Sequence, residues 1–294
     1  MDLQLIQLYL LVCELYDMRR RTCFQRTSNN ANPGGITDPE LVTIYCFGHL
    51  HGHFEKKAIH QFIRKYWADY FPKLPAYQTF VARLNRLEAT FQSLGAELQA
   101  RLRWPQLPEV DRVIDSLPVM LARGGHAYTA KVARETADVG YCASKKLYFH
   151  GVRLHAIGRR RSGQLPSPQQ IWLREASCHD LRGVKEQAPE LPTTTLFADS
   201  AYVDGALEEQ LAAQGTALRT PKKKPKGKDK ELTAGEKYYN RCVRRLRQPI
   251  ESLFNWFNVK TGLQDAGQVR SDDALKVHCF GKLTVGYLIL VFNP

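Results

Sequence analysis

Val113-Ile114-Asp115-Ser116-Leu117-Pro118-Val119 is an apolar, β-branched run broken by one acid. Such residues favour a pleated strand, and a carboxyl set among them is costly unless something compensates it. The stretch predicts a strand over 112–119 and marks a change of pattern along the chain. Downstream, Leu147–Ile157, Ile171–Leu173 and Thr195–Ala198 read as further strands. Arg159-Arg160-Arg161-Ser162-Gly163 reads as the hairpin turn between the second and third. Helices are predicted at 204–213, 238–258 and 272–291, with one more between the third and fourth strands. Strands followed by helices imply an α/β domain with a mixed sheet covered by helices.

Upstream the periodicity is helical. Leu3, Ile6, Tyr9, Leu10 and Cys13 predict an amphipathic helix over 2–20. Thr27–Gly35 is a loop by composition. It leads into Thr37-Asp38-Pro39-Glu40, a capping box that predicts a helix from Asp38 to about Phe47. Further helices are expected at 55–70 and 77–102, the last with Phe80, Leu84, Leu87, Phe91, Leu94 and Leu98 as its apolar stripe. The pattern changes at Trp104–Pro108, so the predicted division is an all-α domain over 1–108 and an α/β domain over 109–294. No internal repeat is present.

The chain carries 42 Lys and Arg against 29 Asp and Glu over 294 residues, a net charge of +13. That excess points to a polyanion, nucleic acid first. It is concentrated at 219–247, where twelve basic side chains meet three acidic ones, a net +9. Lys222, Lys223, Lys224, Lys226, Lys228 and Lys230 form its first part, and Arg241, Arg244 and Arg245 its second. Pro221, Pro225 and Gly227 give it the composition of a loop. These residues are the expected phosphate contacts, since cations on a loop can neutralise phosphates and release counterions. Short helices bearing Lys56, Lys57, Arg64, Lys65, Arg83 and Arg86 suggest a helix-turn-helix-like DNA-binding half.

Other classes are excluded. Seven Cys, none in a C-x-x-C pair, argue against a disulfide framework or a zinc ribbon and for free thiols in a reducing compartment. The N-terminus lacks a basic n-region, and Leu283–Phe292 is too short for a membrane span. A cytoplasmic protein with no membrane partner is therefore expected. No phosphate-cradling glycine loop or nucleophile elbow occurs. His49, His51 and His53 alternate with other residues, Gly52 among them, in a polar loop rather than a metal cluster. Trp172 and Trp256 read as core residues, and His155 as a sheet-face residue.

Three acids stand in the right context for metal chemistry on phosphates. Asp115 lies in the first strand, Asp199 ends Leu196-Phe197-Ala198-Asp199, and Glu251 edges the apolar stripe Ile250, Leu253, Phe254, Phe257. Carboxylates are hard oxygen donors suited to Mg²⁺. His179-Asp180 offers a second-position alternative to Asp199, or a turn. Pro249 leaves two geometries open for Arg247: outside a helix that starts at Pro249, or one turn before Glu251 in a continuous helix.

In order and context these acids resemble the DDE transposases of bacterial insertion sequences. Four further strings carry the resemblance: Gly140-Tyr141-Cys142-Ala143-Ser144-Lys145-Lys146, Tyr148–His155, Ala176-Ser177-Cys178-His179-Asp180 and Ala198-Asp199-Ser200-Ala201-Tyr202. Arg247 and Glu251 resemble the family's Arg-x-x-x-Glu pair. Insertion-sequence family 982, related to the type-four and type-five groups, is the nearest likeness, with Ile36–Leu41 and Tyr70–Pro75 also similar. The chain departs from the pattern at Ala201, where Gly is usual, and at Arg244 and Asn258, where the type-four group has Tyr and Lys. The resemblance implies an RNase H-like catalytic domain whose Asp115, Asp199 and Glu251 hold two Mg²⁺ ions, with Mn²⁺ able to substitute. It further implies Arg247 as an orienting residue and double-stranded DNA as partner, both the element's terminal repeats and a target. A homo-oligomer on DNA, strand cleavage and strand transfer complete the expectation.

Overall fold

The structure is a computed structural model, and it describes residues 2–19, 35–102, 111–191, 193–224 and 231–292. Lys226, Lys228, Lys230, Cys23, most of the Thr27–Gly35 loop and the Trp104–Pro108 boundary lie outside the described residues. The chain forms two compact units, Met1–Arg103 with Phe257–Pro294, and Trp104–Trp256.

The first unit is helical: α1 (Asp2–Met18), α2 (Asp38–Leu50), α3 (Lys56–Tyr66), α4 (Tyr77–Asn85), α5 (Glu88–Arg101) and α11 (Asp272–Phe292). The capping box at α2 is formed, with Glu40 N–H donating to Thr37 Oγ1 at 3.3 Å and Thr37 N–H to Glu40 Oε2 at 2.5 Å. Such a cap stabilises a helix start by about 1 kcal/mol. The stripe from Phe80 to Leu98 is buried as expected, but it is carried by two helices with a break at Arg86 and Leu87. In α1 the helix is as expected and its inward face is not. Leu5, Leu8, Val12 and Leu15 are buried, whereas Leu3 is 67% and Leu10 60% exposed. The helix is apolar on several sides, so spacing alone could not choose between two stripes.

In the compact units α11 groups with the N-terminal helices, although the expected division placed 272–291 in the second domain. By length and composition α11 would pass for a membrane span. Here it is the core helix of its unit, buried from Ala274 to Leu288 along most of its circumference. Gly281 lets α11 approach α2 closely: a Cβ there would lie 2.8 Å from the Tyr45 ring. Thr284 Oγ1 donates to the Phe91 carbonyl of α5 at 2.8 Å. A helix apolar all round must be enclosed, and the surrounding short helices supply the enclosure.

This unit buries charge as well. Lys282 is 3% exposed. Burial holds its ammonium down to about 8, and does the same at Lys56, where the Lys282 charge adds to the effect. The groups around Lys282 are Lys56 and Glu55 beside α3, His49 in α2, His278 and Cys279 in α11, and Asp265. A folded-state value below the unfolded one means the unfolded chain binds more protons between about 8 and 10.4, so this contribution to stability improves as pH rises through that window. Buried thiols at Cys46 and Cys279, both held up, oppose it in any variant. Lys282→Met should therefore be more stable than wild type by about 2–3 kcal/mol at pH 7, from roughly 1.4 kcal/mol per unit. That advantage should shrink by pH 10, as read by denaturant unfolding at each pH. A constant difference would show that Lys282 is not held in this way.

The second unit is α/β. Its strands are β1 (Asp111–Arg123), β2 (Asp138–Cys142), β3 (Leu147–Arg159), β4 (Ser167–Glu175), β5 (Thr194–Phe197) and β6 (Thr216–Arg219). Its helices are α6 (Gly125–Thr129), α7 (Asp180–Gln187), α8 (Gly205–Ala212), α9 (Ala234–Arg247) and the start of α10 (Pro249–Thr261). The sheet runs β2-β3-β1-β5-β6, and β4 also pairs with β3. β2 takes the first part of one edge of β3 and β4 the rest. β1 is antiparallel to β3 and parallel to β5, and β5 is parallel to β6, so the sheet is mixed as expected. The short β6 is an addition to the expected strands, because Thr-Ala-Leu-Arg carries little strand signal. β2 is not marked by composition, but it pairs with β3 as the hairpin that Gly140–Lys146 and Tyr148–His155 resemble.

Alternation along β1 sorts the layers. Ile114 packs with Ile157, Trp172, Val184, Leu207 and Leu211, so α7 and α8 cover that face. Arg247 of α9 reaches Asp115, the neighbouring position on the opposite face.

Candidate active site

The two aspartates are brought together by register. Val113 pairs with Phe197 in the parallel β1/β5 ladder. Two residues on along each chain are Asp115 and Asp199, at the carboxyl end of β5. Asp199 leaves the strand as the cap of a short 3₁₀ turn, Ser200–Tyr202, accepting the Ser200 N–H at 2.6 Å. Asp115 accepts the Ser116 N–H at 2.9 Å.

Arg247 joins the first acid to the third. Its Nη1 donates to Asp115 Oδ2 at 2.5 Å, and its Nη2 to Glu251 Oε1. One planar guanidinium thus holds a strand carboxylate and a helix carboxylate. The question at Pro249 is answered by a mixed geometry. Arg247 is the last residue of α9 and Pro249 the first of α10, with Gln248 between them in helical φ/ψ. Because Gln248 N–H still bonds Arg244 O at 2.9 Å, the turn continues and Arg247 meets Glu251 at i,i+4.

The electrostatics follow from this packing. Burial pushes the Asp115 carboxyl up to about 6, with the charges of Asp180 and Asp199 adding to it and Arg247 and the Ser116 N–H opposing. Arg247 is held above its ordinary value by the charges of Asp115, Glu251 and Asp199, which outweigh its own burial. The guanidinium therefore feels the three acids picked out in sequence.

Asp180 is near enough for its charge to raise Asp115, but it is held by other partners. It opens α7, accepts Ser116 Oγ–H at 2.6 Å and lies 3.7 Å from Arg153 Nη1. Arg153 also donates to the carbonyls of Ala176 at 3.0 Å and Tyr141 at 2.7 Å. Ser116, Arg153 and buried Tyr202 are additions that sequence reasoning missed. A lone Arg in the apolar run Phe149–Leu154 was the available signal. His155 pairs with Ser116 in register and stacks on Trp172 at 5.3 Å between centroids. It is fully buried and burial holds it down to about 4, so it is a neutral ring in the sheet face.

The histidine run proves not to be a polar loop throughout. His49 is buried in the last turn of α2 with Nδ1 2.9 Å from Tyr45 O, while His51 and His53 pack on Phe62. Trp172 is buried as expected. Among the described basic residues, Lys222, Lys223, Lys224, Arg241, Arg244 and Arg245 are exposed. Lys222 is fastened to α9, since its N–H donates to Asn240 Oδ1 at 2.7 Å and Asn240 Nδ2 donates to Lys222 O at 3.0 Å. The segment's start is thus pinned rather than a free loop. In the helical unit, Lys57, Arg64, Lys65 and Arg86 are exposed. Arg83 instead pairs with buried Asp38 at 3.3 Å, and Lys56 turns inward to Asn85 Oδ1 at 2.5 Å.

A mixed sheet with flanking helices and a helical N-terminal region fit an α/β transposase fold, and one guanidinium joins a strand carboxylate to a helix carboxylate within it. The sequence model described as "Transposase DDE domain" matches residues 109–286, more than half of the chain, and the chain belongs to that family of transposases. Members of the DDE transposase family generally use divalent metal ions. No curated protein matches. Among solved structures, the "Drosophila P element transposase strand transfer complex" is similar at 10% identity, over 71% of this chain and 47% of that one, with a TM-score of 0.29. The chain spans about half the length of that structure's chain.

Proposed function

We propose that this chain is the transposase of an insertion sequence of the family-982 kind, with an RNase H-like catalytic unit. In this reading it binds the element's terminal repeats, cleaves a DNA strand there and joins the freed 3′-OH to target DNA. The observation that carries the reading is Arg247 bound at once to Asp115 and Glu251, with the Asp199 charge alongside.

The residues fit a divalent cation. Their donors are hard carboxylate oxygens, and the Asp115 carboxyl is raised chiefly by burial, with the charges of Asp180 and Asp199 adding a smaller part. Among the described residues no three His, Cys, Asp or Glu side chains form an all-protein cage. Mg²⁺ commonly takes few carboxylates, with waters and phosphates completing its shell. Asp115, Asp199 and Glu251 would hold the ions. Two bound Mg²⁺, or Mn²⁺, would supply an activated nucleophile and stabilise the attacking and leaving oxygens of an in-line displacement. Arg247 would orient Glu251 against Asp115 by bonding both carboxylates. Asp180 with Ser116 and Arg153 buttresses the middle of β1, next to Asp115.

Incubating the full chain with Mg²⁺, a duplex carrying the element end and a target plasmid should yield a nick at the end and a joined product. Nicking without joining would favour a nuclease. Binding without nicking would favour a DNA-binding protein of transposase descent.

Lys222, Lys223, Lys224, Arg241, Arg244 and Arg245 would hold phosphates without reading bases, and Lys226, Lys228 and Lys230 would extend that path. Replacing Lys222, Lys223, Lys224 and Arg241 by Gln should weaken binding to all duplexes alike. It should also flatten log affinity against log salt by up to ~0.9 for each phosphate no longer neutralised. An unchanged slope in filter binding would remove these residues from the interface. A weakening confined to one sequence would mean base readout instead.

A further inference from the structure

The helical unit holds a cavity of about 660 Å³ that the reading above does not use. Ligand pockets commonly fall in the range of roughly 300–1,000 Å³. Four cationic side chains line it, Lys56, Lys57, Arg270 and Lys282, against a single carboxylate, Glu55. Two of the cations are built in rather than draped over the rim. Lys282 is 3% exposed, donates one hydrogen bond to Gly262 O at 3.1 Å and stands 6.0 Å from the Phe54 ring centroid. Lys56 donates to the neutral Asn85 Oδ1 at 2.5 Å. Among the described residues no carboxylate forms an ion pair with either ammonium, although each has three donors to satisfy.

The backbone is shaped around this charge. Gly262 has φ +65°, and a Cβ there would lie 3.3 Å from Lys282 Nζ and 3.5 Å from Phe54. Glu55, and at Lys282 also Asp265, act on these charges only from beyond ion-pair distance. Buried ammonium groups outside an ion pair are costly, and burial holds both of these down to about 8. A fold that keeps two of them on one cavity wall gains from an anion that arrives from outside. Phosphate offers several strong acceptor oxygens to such a pair. Phe54 and Tyr77, also on the wall, offer ring faces to a planar group.

We propose that this cavity binds a phosphate-bearing nucleotide, with its phosphate on Lys56 and Lys282 and its base against Phe54 or Tyr77. The same chemistry is presented by a free nucleotide and by a terminal nucleotide of a DNA strand. The site is independent of the carboxylate centre and of strand transfer.

The test uses the full chain and three probes without added metal: pyrophosphate, a nucleoside triphosphate and a short single strand with a 5′-phosphate. Thermal unfolding and equilibrium dialysis should show saturable binding and a rise in Tm for wild type, as ligand binding to the folded state requires. Lys282→Met should stay folded, unfold at higher temperature without ligand, and bind at least about tenfold more weakly, as expected when one charge-assisted hydrogen bond is removed. Lys57→Gln at the exposed rim should weaken binding less, and Arg182→Gln, at an exposed position in the other unit, should leave binding of all three probes unchanged. Saturation by the triphosphate supports a free nucleotide, and saturation by the strand alone supports a strand terminus. Should Lys282→Met fail to fold, Lys56→Gln carries the same expectation. Wild type that binds none of the probes, or a folded Lys282→Met or Lys56→Gln that binds as tightly as wild type, overturns the proposal.

Discussion

Asp115→Asn, Asp199→Asn and Glu251→Gln are each expected to lower metal-dependent strand cleavage by roughly 10³-fold or more, because a site that works by positioning charge loses most of its effect with one ligand. Duplex binding should change little, since the exposed cations at Lys222–Lys224 and on α9 are untouched. Asn and Gln keep the shape of each side chain, so the drop reads the charge. Asp180→Asn is the control. Its carboxylate is bonded to Ser116 and lies near Arg153, and it is not among the charges that raise Arg247. It should keep most of the activity. If cleavage survived Asp199→Asn and vanished with Asp180→Asn, the second acid would have to be reassigned.

Arg247→Met should have the next largest effect, on two separate readouts. Arg247 is bonded to both Asp115 and Glu251. Removing it leaves a partly buried carboxyl without its cation, at a cost of about 2–3 kcal/mol in denaturant unfolding. Cleavage should fall by roughly 10²-fold, as expected when a group that orients a reacting centre is removed. Arg247→Lys should restore much of the stability and little of the activity, because an ammonium cannot span two carboxylates as a planar fork does. Full rescue of cleavage by Lys would mean that only the charge matters at this position. A stable, fully active Arg247→Met would remove it from the site altogether.

The site's legibility in sequence has a physical basis. An acid in Val113–Val119 or after Leu196–Ala198 is conspicuous because strands of this composition otherwise exclude charge. Glu251 was visible only as the edge of an apolar stripe. Arg247 was visible by its spacing, but Pro249 hid whether that spacing was helical. The Ser116–Asp180–Arg153 cluster was not legible, since its members lie 27 to 64 positions apart and meet only through the β1/β3 register and the start of α7. The cavity around Lys282 was hidden for the same reason. In sequence Lys282 is one cation in an apolar run, and Lys56 reads as an ordinary exposed base.

Local rules determined the elements: the capping box at Thr37, the strands at 112–119 and 147–157, the α/β character after residue 108 and the basic stretch at 219–247. These depend on propensity and on residues within one or two turns of each other. Only the tertiary structure decided which stripe of α1 faces inward, that the stripe from Phe80 to Leu98 breaks in two, and that α11 joins the N-terminal helices. It also decided that Asn240 pins the basic stretch. The reason is common to all four. A helix that is apolar on several sides, or an amide on a helix face, has more than one acceptable neighbour, and the choice is made by elements distant in sequence that compete for the same surface.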